Sequence, residues 1–195
     1  MYQAQDFGSL LGLKGFSDQA LSLHFSLYQG YVNNVNKILE RLAFLRKENQ
    51  ADSLEFAELA RRLGWEFNGM RLHEYYFSGL SKNPSSLNSD SALAKKIVQD
   101  FGSFQEWEKD FKSLSLMRGI GWVILYYDQK EERLINFWIN EHQSGHPAGL
   151  KPLLNIDLFE HAYLIDYGTK KADYLQAFLE AVDWQVIEKR FSENS

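Results

Sequence analysis

The segment DLFEHAY, residues 157–163, places Asp157, Glu160 and His161 within five positions of an otherwise apolar stretch. Side chains of these types are costly to bury unless they are paired or bind a metal. One interpretation is the start of a helix, with Asp157 as its N-cap and His161 facing solvent one turn later. The other interpretation is that Asp157 and His161 are metal ligands.

Two further histidines lie on the apolar faces of predicted helices. The first stripe follows a predicted N-cap at Ser17 and contains Leu21, His24, Tyr28, Tyr31, Val35, Ile38, Leu42 and Leu45. The second stripe follows the polar turn RKENQADS and contains Phe56, Leu59, Leu63, Phe67, Met70, His73 and Phe77. One histidine on such a face is usually a core residue satisfied by one hydrogen bond. Two on facing antiparallel helices lie where helical bundles build metal sites.

Together these four side chains offer three imidazoles and one carboxylate. Neutral imidazole and carboxylate suit iron, manganese or zinc. A hydrolytic zinc site usually keeps three protein ligands and a water molecule. Four protein ligands leave less room for that water as a nucleophile, so the set suits redox chemistry at least as well.

Other motifs are weaker. The segment EHQSGH brings Glu141, His142 and His146 close together, but its glycine and the proline after it predict a loop. The sequence at residues 119–121, GIG, lacks the third glycine of a dinucleotide-binding loop. No serine or cysteine nucleophile motif stands out.

Composition limits the class of protein. The chain has 195 residues, is 45% hydrophobic and contains no cysteine, which fits a packed core in a reducing compartment. Its net charge is -5 and its basic residues are dispersed, so we expect no nucleic-acid partner. The start MYQAQDFGSLLGLKG lacks the features of a secretory signal, and no stretch reaches membrane-spanning length. We therefore expect a soluble cytoplasmic protein without a membrane partner.

The pattern of predicted elements indicates an α+β fold. An N-terminal antiparallel helical hairpin precedes a small antiparallel three-stranded sheet, with strands at GWVILYY, RLINFWI and PLLNID, and helices surround the sheet. Two short helices broken at DFGS come before the sheet, and DYLQAFLEAVDWQVIEKRF after it is helical. We expect a helical hairpin domain at residues 1–88 and an α/β C-terminal domain at 89–195, with the metal site between them.

Six segments in chain order carry a resemblance to a known family. They are FSDQALSLHF, YVNN, HEYYFSGL, QDFGSFQEWEKDF, GIGWVIL and DLFEHAYLIDY. Over nearly its full length the chain resembles the iron/manganese superoxide dismutase family. The last segment is the most specific, because it is similar to the family signature D-x-W-E-H-A-Y.

The resemblance implies one iron or manganese ion per subunit, and we prefer iron. The implied ligands are His24, His73, Asp157 and His161, with a solvent molecule as the fifth. The implied activity is dismutation of superoxide to dioxygen and hydrogen peroxide, with the metal alternating between two oxidation states.

The resemblance also implies roles for residues around the metal. Tyr31 corresponds to the tyrosine of the substrate channel, Trp122 to an aromatic wall, and His142 to the residue that hydrogen-bonds the metal-bound solvent. Glu160 would orient the partner subunit's His161 across an interface that also contains Tyr163. The expected assembly is therefore a homodimer or a larger homo-oligomer.

The sequence departs from the family pattern near the channel. His24 and Tyr31 are seven positions apart, one fewer than usual, and Leu27 and Tyr28 stand where a second histidine is common. In a regular helix this spacing keeps Tyr31 on the face of His24, but proton delivery or product release is expected to differ. The substitutions outside this helix include Leu72, Ile124 and Phe159.

These departures keep two alternatives open. One is a divergent metal-binding relative that performs other oxygen chemistry or hydrolysis. The other is a non-catalytic interaction protein that uses the same fold. Superoxide turnover separates the first alternative from a dismutase, and the metal content of purified protein tests the second.

Overall fold

A computed structural model describes residues 1–193 and confirms the α+β architecture. The N-terminal hairpin consists of α1 (Asp18–Lys47) and α2 (Leu54–Ser78). Each helix begins at a serine whose side chain accepts a backbone N–H three residues later, Ser17 for α1 and Ser53 for α2. These caps satisfy amide groups that have no partner within the helix, so both helices begin where local chemistry favours them.

Burial of the α1 stripe is complete, because all eight of its residues are buried in the structure. In α2 the stripe is buried only from Met70 onward, and Phe56, Leu59 and Leu63 are half-buried. The buried end of α2 packs on the sheet, where the Asn155 side-chain amide donates to the Leu72 carbonyl oxygen over 2.8 Å. The hairpin therefore meets the second half of the chain at the ends of the helices that carry His24 and His73.

The two predicted short helices are α3 (Ala92–Phe101) and α4 (Phe104–Ser115). Gly102 separates them with a φ of 90°, a conformation that glycine adopts without a steric penalty. Ser103 then caps α4 by accepting the Glu106 amide. The predicted break at DFGS is thereby confirmed.

The sheet has the order β2-β1-β3, with all neighbours antiparallel. Its strands are β1 (Trp122–Asp128), β2 (Arg133–Ile139) and β3 (Lys151–Asp157), close to the predicted segments. Gly121 precedes β1 with a φ of 118°, and a Cβ there would lie 2.0 Å from the Ile139 carbonyl oxygen. Only glycine allows the chain at residue 121 to lie this close to the Ile139 carbonyl. The next residue, Trp122, then pairs with Ile139 of β2 on one side and with Asp157 of β3 on the other.

The C-terminal helical segment is divided rather than continuous. After the short α5 (Leu164–Tyr167), the chain forms α6 (Lys171–Ala181) and α7 (Trp184–Ser192). Val182 is extended between them because it forms a β-bridge with Leu80 at the end of the hairpin. Short 3-10 turns occur at Gly8–Leu10 and Glu160–Ala162.

No helix within residues 1–193 is long and apolar enough to cross a membrane. The division into domains at residues 1–88 and 89–195 stays a prediction.

Candidate metal centre

The four predicted ligands meet at one point of the structure. His24, His73, Asp157 and His161 each offer a ligand atom, and these atoms all lie within 4.8 Å of one another. The three Nε2 atoms converge on a single carboxylate oxygen. Asp157 Oδ2 is 3.2 Å from His24, 3.4 Å from His73 and 3.1 Å from His161.

Four elements of the fold position these side chains. His24 projects from α1 and His73 from α2, whereas Asp157 is the last residue of β3. His161 lies in the 3-10 turn Glu160–Ala162 that follows the strand. Asp157 is buried and ends a strand, so the interpretation of DLFEHAY as an N-capped helix start is wrong.

The hydrogen bond of His73 fixes the tautomer of its ring. His73 Nδ1 lies 2.5 Å from the Gly69 carbonyl oxygen, which can only accept, so Nδ1 carries the proton. His73 Nε2 then carries a free lone pair, and this atom is fully buried and has no hydrogen-bond partner. A buried acceptor without a donor is costly, and a metal ion is one group that satisfies it.

Asp157 is held by groups other than the histidines. Its Oδ1 accepts the Phe159 amide over 2.9 Å, and its backbone carbonyl accepts the Tyr174 hydroxyl over 2.7 Å. The Tyr174 hydroxyl in turn lies 3.1 Å from that of Tyr76. These bonds leave Oδ2 as the carboxylate oxygen directed at the imidazoles.

The pKa shifts of His24, His73 and Asp157 match the protonation states that metal ligands need. Burial lowers the pKa of His24, and it lowers that of His73 well below the usual value. Burial raises the pKa of Asp157, but the His161 ring and hydrogen bonds from His161 and His24 outweigh this and hold it well below its usual range. Ligands must be neutral imidazoles and ionised carboxylates, so the residues fit an iron or manganese ion.

Aromatic side chains surround the imidazoles, among them Phe77, Trp122 and Phe159. Phe77 lies 4.8 Å from the His24 ring in an edge-on contact, and Trp122 lies 5.2 Å from His73. Phe159 stacks on His161 at 5.5 Å. Phe159 therefore supplies an aromatic wall although it differs from the tryptophan of the family signature.

A hydrogen-bonded chain links Trp122, His142 and Tyr31 beside this cluster. Trp122 Nε1 donates to His142 Nδ1 over 3.1 Å, and His142 Nε2 lies 2.9 Å from the Tyr31 hydroxyl. Indole nitrogen can only donate, so Nδ1 accepts and the neutral ring carries its proton on Nε2. Burial lowers the pKa of His142 to about 4, which keeps the ring neutral near pH 7.

The position of Tyr31 shows how the shorter spacing is accommodated. The helix α1 is regular through both His24 and Tyr31, and the Tyr31 ring lies 5.2 Å from that of His73. A Cβ at Gly69 would lie 2.6 Å from this ring, so the absence of a side chain there admits the tyrosine. Tyr28 bonds Glu74 and the Gln5 amide instead of entering the site.

Comparison with known proteins agrees with this geometry. Residues 89–190 match the family described as "Iron/manganese superoxide dismutases, C-terminal domain". The chain belongs to the iron/manganese superoxide dismutase family.

Individual relatives of this family cover nearly the whole chain. The iron superoxide dismutase of Cupriavidus metallidurans is 36% identical over 92% of this chain and 90% of its own length. That of Aquifex pyrophilus is 36% identical over 92% of this chain and 85% of its own length. Manganese superoxide dismutase 2 of Haloferax volcanii is 33% identical over 91% of this chain and 87% of its own length.

Two residues that the family resemblance assigns to a subunit interface lie beside the centre. Glu160 is exposed, and Tyr163 is half-buried with its ring stacked on Tyr174 at 5.5 Å. The interface role of both residues stays a prediction.

Sequence reasoning missed several residues that contact the site. Trp65 packs on His142 with ring centroids 4.7 Å apart and donates from Nε1 to Glu141 over 3.3 Å. Tyr174 and Tyr76 support Asp157 from α6 and α2. No local pattern distinguishes these aromatic residues from ordinary core residues, so sequence alone offers no signal for them.

The centre predicts that metal binding depends on Asp157. Adding Fe²⁺ or Mn²⁺ to chelator-treated protein at about 100 times the dissociation constant should stabilise it by about 2.7 kcal/mol. For a chain of this size this corresponds to a rise of roughly 5–10 °C in the unfolding temperature. Asp157→Asn removes the only anionic ligand, so most of this rise should disappear in differential scanning calorimetry.

Asp52→Asn, in the exposed turn between α1 and α2, is the matched control and should keep the full rise. Equal metal-induced shifts in the two variants would contradict the assignment of the centre.

Proposed function

We propose that the protein is a superoxide dismutase that converts two superoxide ions and two protons to dioxygen and hydrogen peroxide. Its centre would be a single iron or manganese ion held by His24, His73, Asp157 and His161. The observation that carries the proposal is the convergence of three Nε2 atoms on Asp157 Oδ2 in a chain of this family.

The bound ion would supply the one-electron redox couple, and the surrounding residues would hold and donate the protons that peroxide formation needs. His142 Nε2–H donates to the Tyr31 hydroxyl oxygen, so the hydroxyl proton of Tyr31 is left for another acceptor. Burial raises the pKa of Tyr31, which keeps that proton in place at neutral pH. Tyr31 is therefore placed to donate a proton as peroxide forms.

Aromatic packing supports this role by limiting water around the centre. Trp122, Phe77 and Phe159 pack on the ligand imidazoles, and the Trp65 ring packs on that of Tyr31 at 5.4 Å. Exclusion of water strengthens the electrostatic interactions inside the site and leaves fewer competing proton donors.

Iron is the ion we favour. Both relatives named above at 36% identity are named as iron enzymes, whereas the relative at 33% identity is named as a manganese enzyme. The protein ligands suit either ion, and the groups around them tune the reduction potential.

We also propose that the centre lies between two domains, residues 1–88 and 89–195. His24 and His73 come from the first, and Asp157 and His161 from the second. The start of the family match at residue 89 supports this boundary.

A homodimer or larger homo-oligomer is proposed on the surface around Glu160. Leu164, which lines a cleft with Glu160, is 50% exposed, and Ile165, the next residue in the chain, is 46% exposed. The same cleft also contains Leu116 and Ile120. Exposed apolar side chains rimmed by polar residues are typical of interaction surfaces, and a two-fold axis would bring two copies of the patch together. In that arrangement Glu160 would reach the partner subunit's His161.

The activity is tested by loading the protein separately with iron and manganese and measuring superoxide loss at neutral pH. We expect fast, metal-dependent loss, with the higher rate for iron. Tyr31→Phe should lower kcat by about tenfold or more without changing metal content, because positioned proton donors contribute on the order of 10²–10⁴.

Tyr28→Phe, on the same helix but bonded to Glu74, should keep the wild-type rate. Metal-loaded protein without superoxide turnover would refute the proposal and favour other oxygen chemistry or hydrolysis. Protein that binds no metal would favour an interaction role.

The proposed interface predicts a change of mass in solution. Sedimentation velocity should give a dimer or a larger species for the wild type and a monomer for Leu164→Glu, because a buried unpaired carboxylate opposes association. Val98→Glu, at a residue 52% exposed on α3, is the control and should leave the mass unchanged. A wild-type monomer, or equal effects of both substitutions, would show that the patch is not the interface.

A further inference from the structure

The loop between β2 and β3, residues 140–150, contains a fully buried imidazole. His142 is 0% exposed although it lies in a segment without regular secondary structure. Its ring is bonded at both nitrogens, to Trp122 and to Tyr31. Ring bonds alone do not fix the backbone of a loop, so the position of His142 needs a second restraint.

His146 supplies that restraint from the same loop. Its Nε2 lies 2.7 Å from the His142 carbonyl oxygen, and its Nδ1 lies 2.6 Å from the Tyr126 hydroxyl. A carbonyl oxygen can only accept, so Nε2 carries the proton of the neutral ring and Nδ1 accepts from Tyr126. Both ring nitrogens of His146 are therefore hydrogen-bonded. Nε2 bonds the loop backbone, and Nδ1 bonds Tyr126 of the sheet.

The central strand β1 thus holds His142 at two points. Trp122 and Tyr126 are four residues apart on β1, so their side chains share one face of the sheet. Trp122 bonds the His142 ring directly, whereas Tyr126 reaches the His142 backbone through His146. Tyr126 is 3% exposed, and a buried strand residue is a rigid support for a loop.

We propose that His146 is a positioning residue, which holds the His142 backbone so that His142 Nε2–H stays directed at the Tyr31 hydroxyl. His146 is half-buried and does not belong to the cluster of potential metal ligands. The expected effect of His146 on turnover rests on the proposed dismutase function, whereas its expected effect on the His142 ring is independent of that function.

The substitutions that test this role are His146→Leu and His146→Gln. Leucine removes both hydrogen bonds. The glutamine amide has an NH2 group that can donate in place of Nε2–H and a carbonyl oxygen that can accept in place of Nδ1. We expect His146→Leu to lower kcat roughly tenfold or more at unchanged KM and metal content, since a misplacement of about 1 Å can cost on the order of a hundredfold. His146→Gln should stay within about twofold of wild type.

A spectroscopic readout separates this inference from the proposed function. Nitrogen NMR of histidine-labelled full-length protein, freed of paramagnetic metal, reports the tautomer of each ring. The chain has only five histidines, so the spectrum is simple, and the signal that disappears in a His142→Gln variant is assigned to the His142 ring. We expect one Nε2–H tautomer for His142 in the wild type and in His146→Gln. In His146→Leu the signal should shift and broaden.

An unchanged His142 signal in His146→Leu, or equal losses in the leucine and glutamine variants, would overturn the inference. If His146→Leu does not fold, Tyr126→Phe takes its place, because it keeps the ring and removes only the bond to His146; an unchanged His142 signal there would equally overturn the inference. If the wild type shows no superoxide turnover, the proposed function fails and the NMR result alone decides the role of His146.

Discussion

The structure depends on one buried carboxylate oxygen, Asp157 Oδ2, which lies 3.1–3.4 Å from three imidazole nitrogens. An ionised carboxylate in a protein interior is tolerated only when opposite charge or strong hydrogen bonds compensate it. Burial lowers the pKa of His24 and His73, which disfavours positive charge on these two rings, and the Nδ1–H tautomer of His73 directs no proton at the carboxylate. A divalent or trivalent cation compensates the charge and uses the imidazole lone pairs at the same time.

This constraint explains why the ligands come from distant parts of the chain. The hairpin contributes His24 and His73, and the end of β3 with its following turn contributes Asp157 and His161. Neither half has a complete ligand set, so metal binding joins the hairpin to the sheet and its free energy adds to the stability of the fold. Asn155 of β3 also bonds Leu72 of α2, and Tyr174 of α6 bonds the Asp157 carbonyl, which holds the end of β3 in place.

The sequence predicted the features that are local or periodic. The cap at Ser17 follows from its residue type, the stripes carrying His24 and His73 follow from helical spacing, and the strand that ends at Asp157 follows from its composition. The resemblance added His142 and Tyr31, and the structure shows that both are hydrogen-bonded to each other.

Other features could not be predicted, because they depend on how separate segments meet. The bond from Tyr174 to Asp157 and the bridge from Tyr126 through His146 join residues with no common local pattern. EHQSGH was correctly predicted to be a loop, yet the path of that loop decides that His142 is buried. The proposed contact of Glu160 lies outside a single chain, so neither the sequence pattern nor one chain's coordinates determines it.

The most direct measurement is an anomalous-scattering map from crystals of the iron-loaded protein, collected at the iron absorption edge. We expect one strong peak per chain, bonded to His24 Nε2, His73 Nε2, His161 Nε2 and Asp157 Oδ2. A peak elsewhere, or one that lacks any of these four atoms, would contradict the assignment on which the proposed chemistry rests.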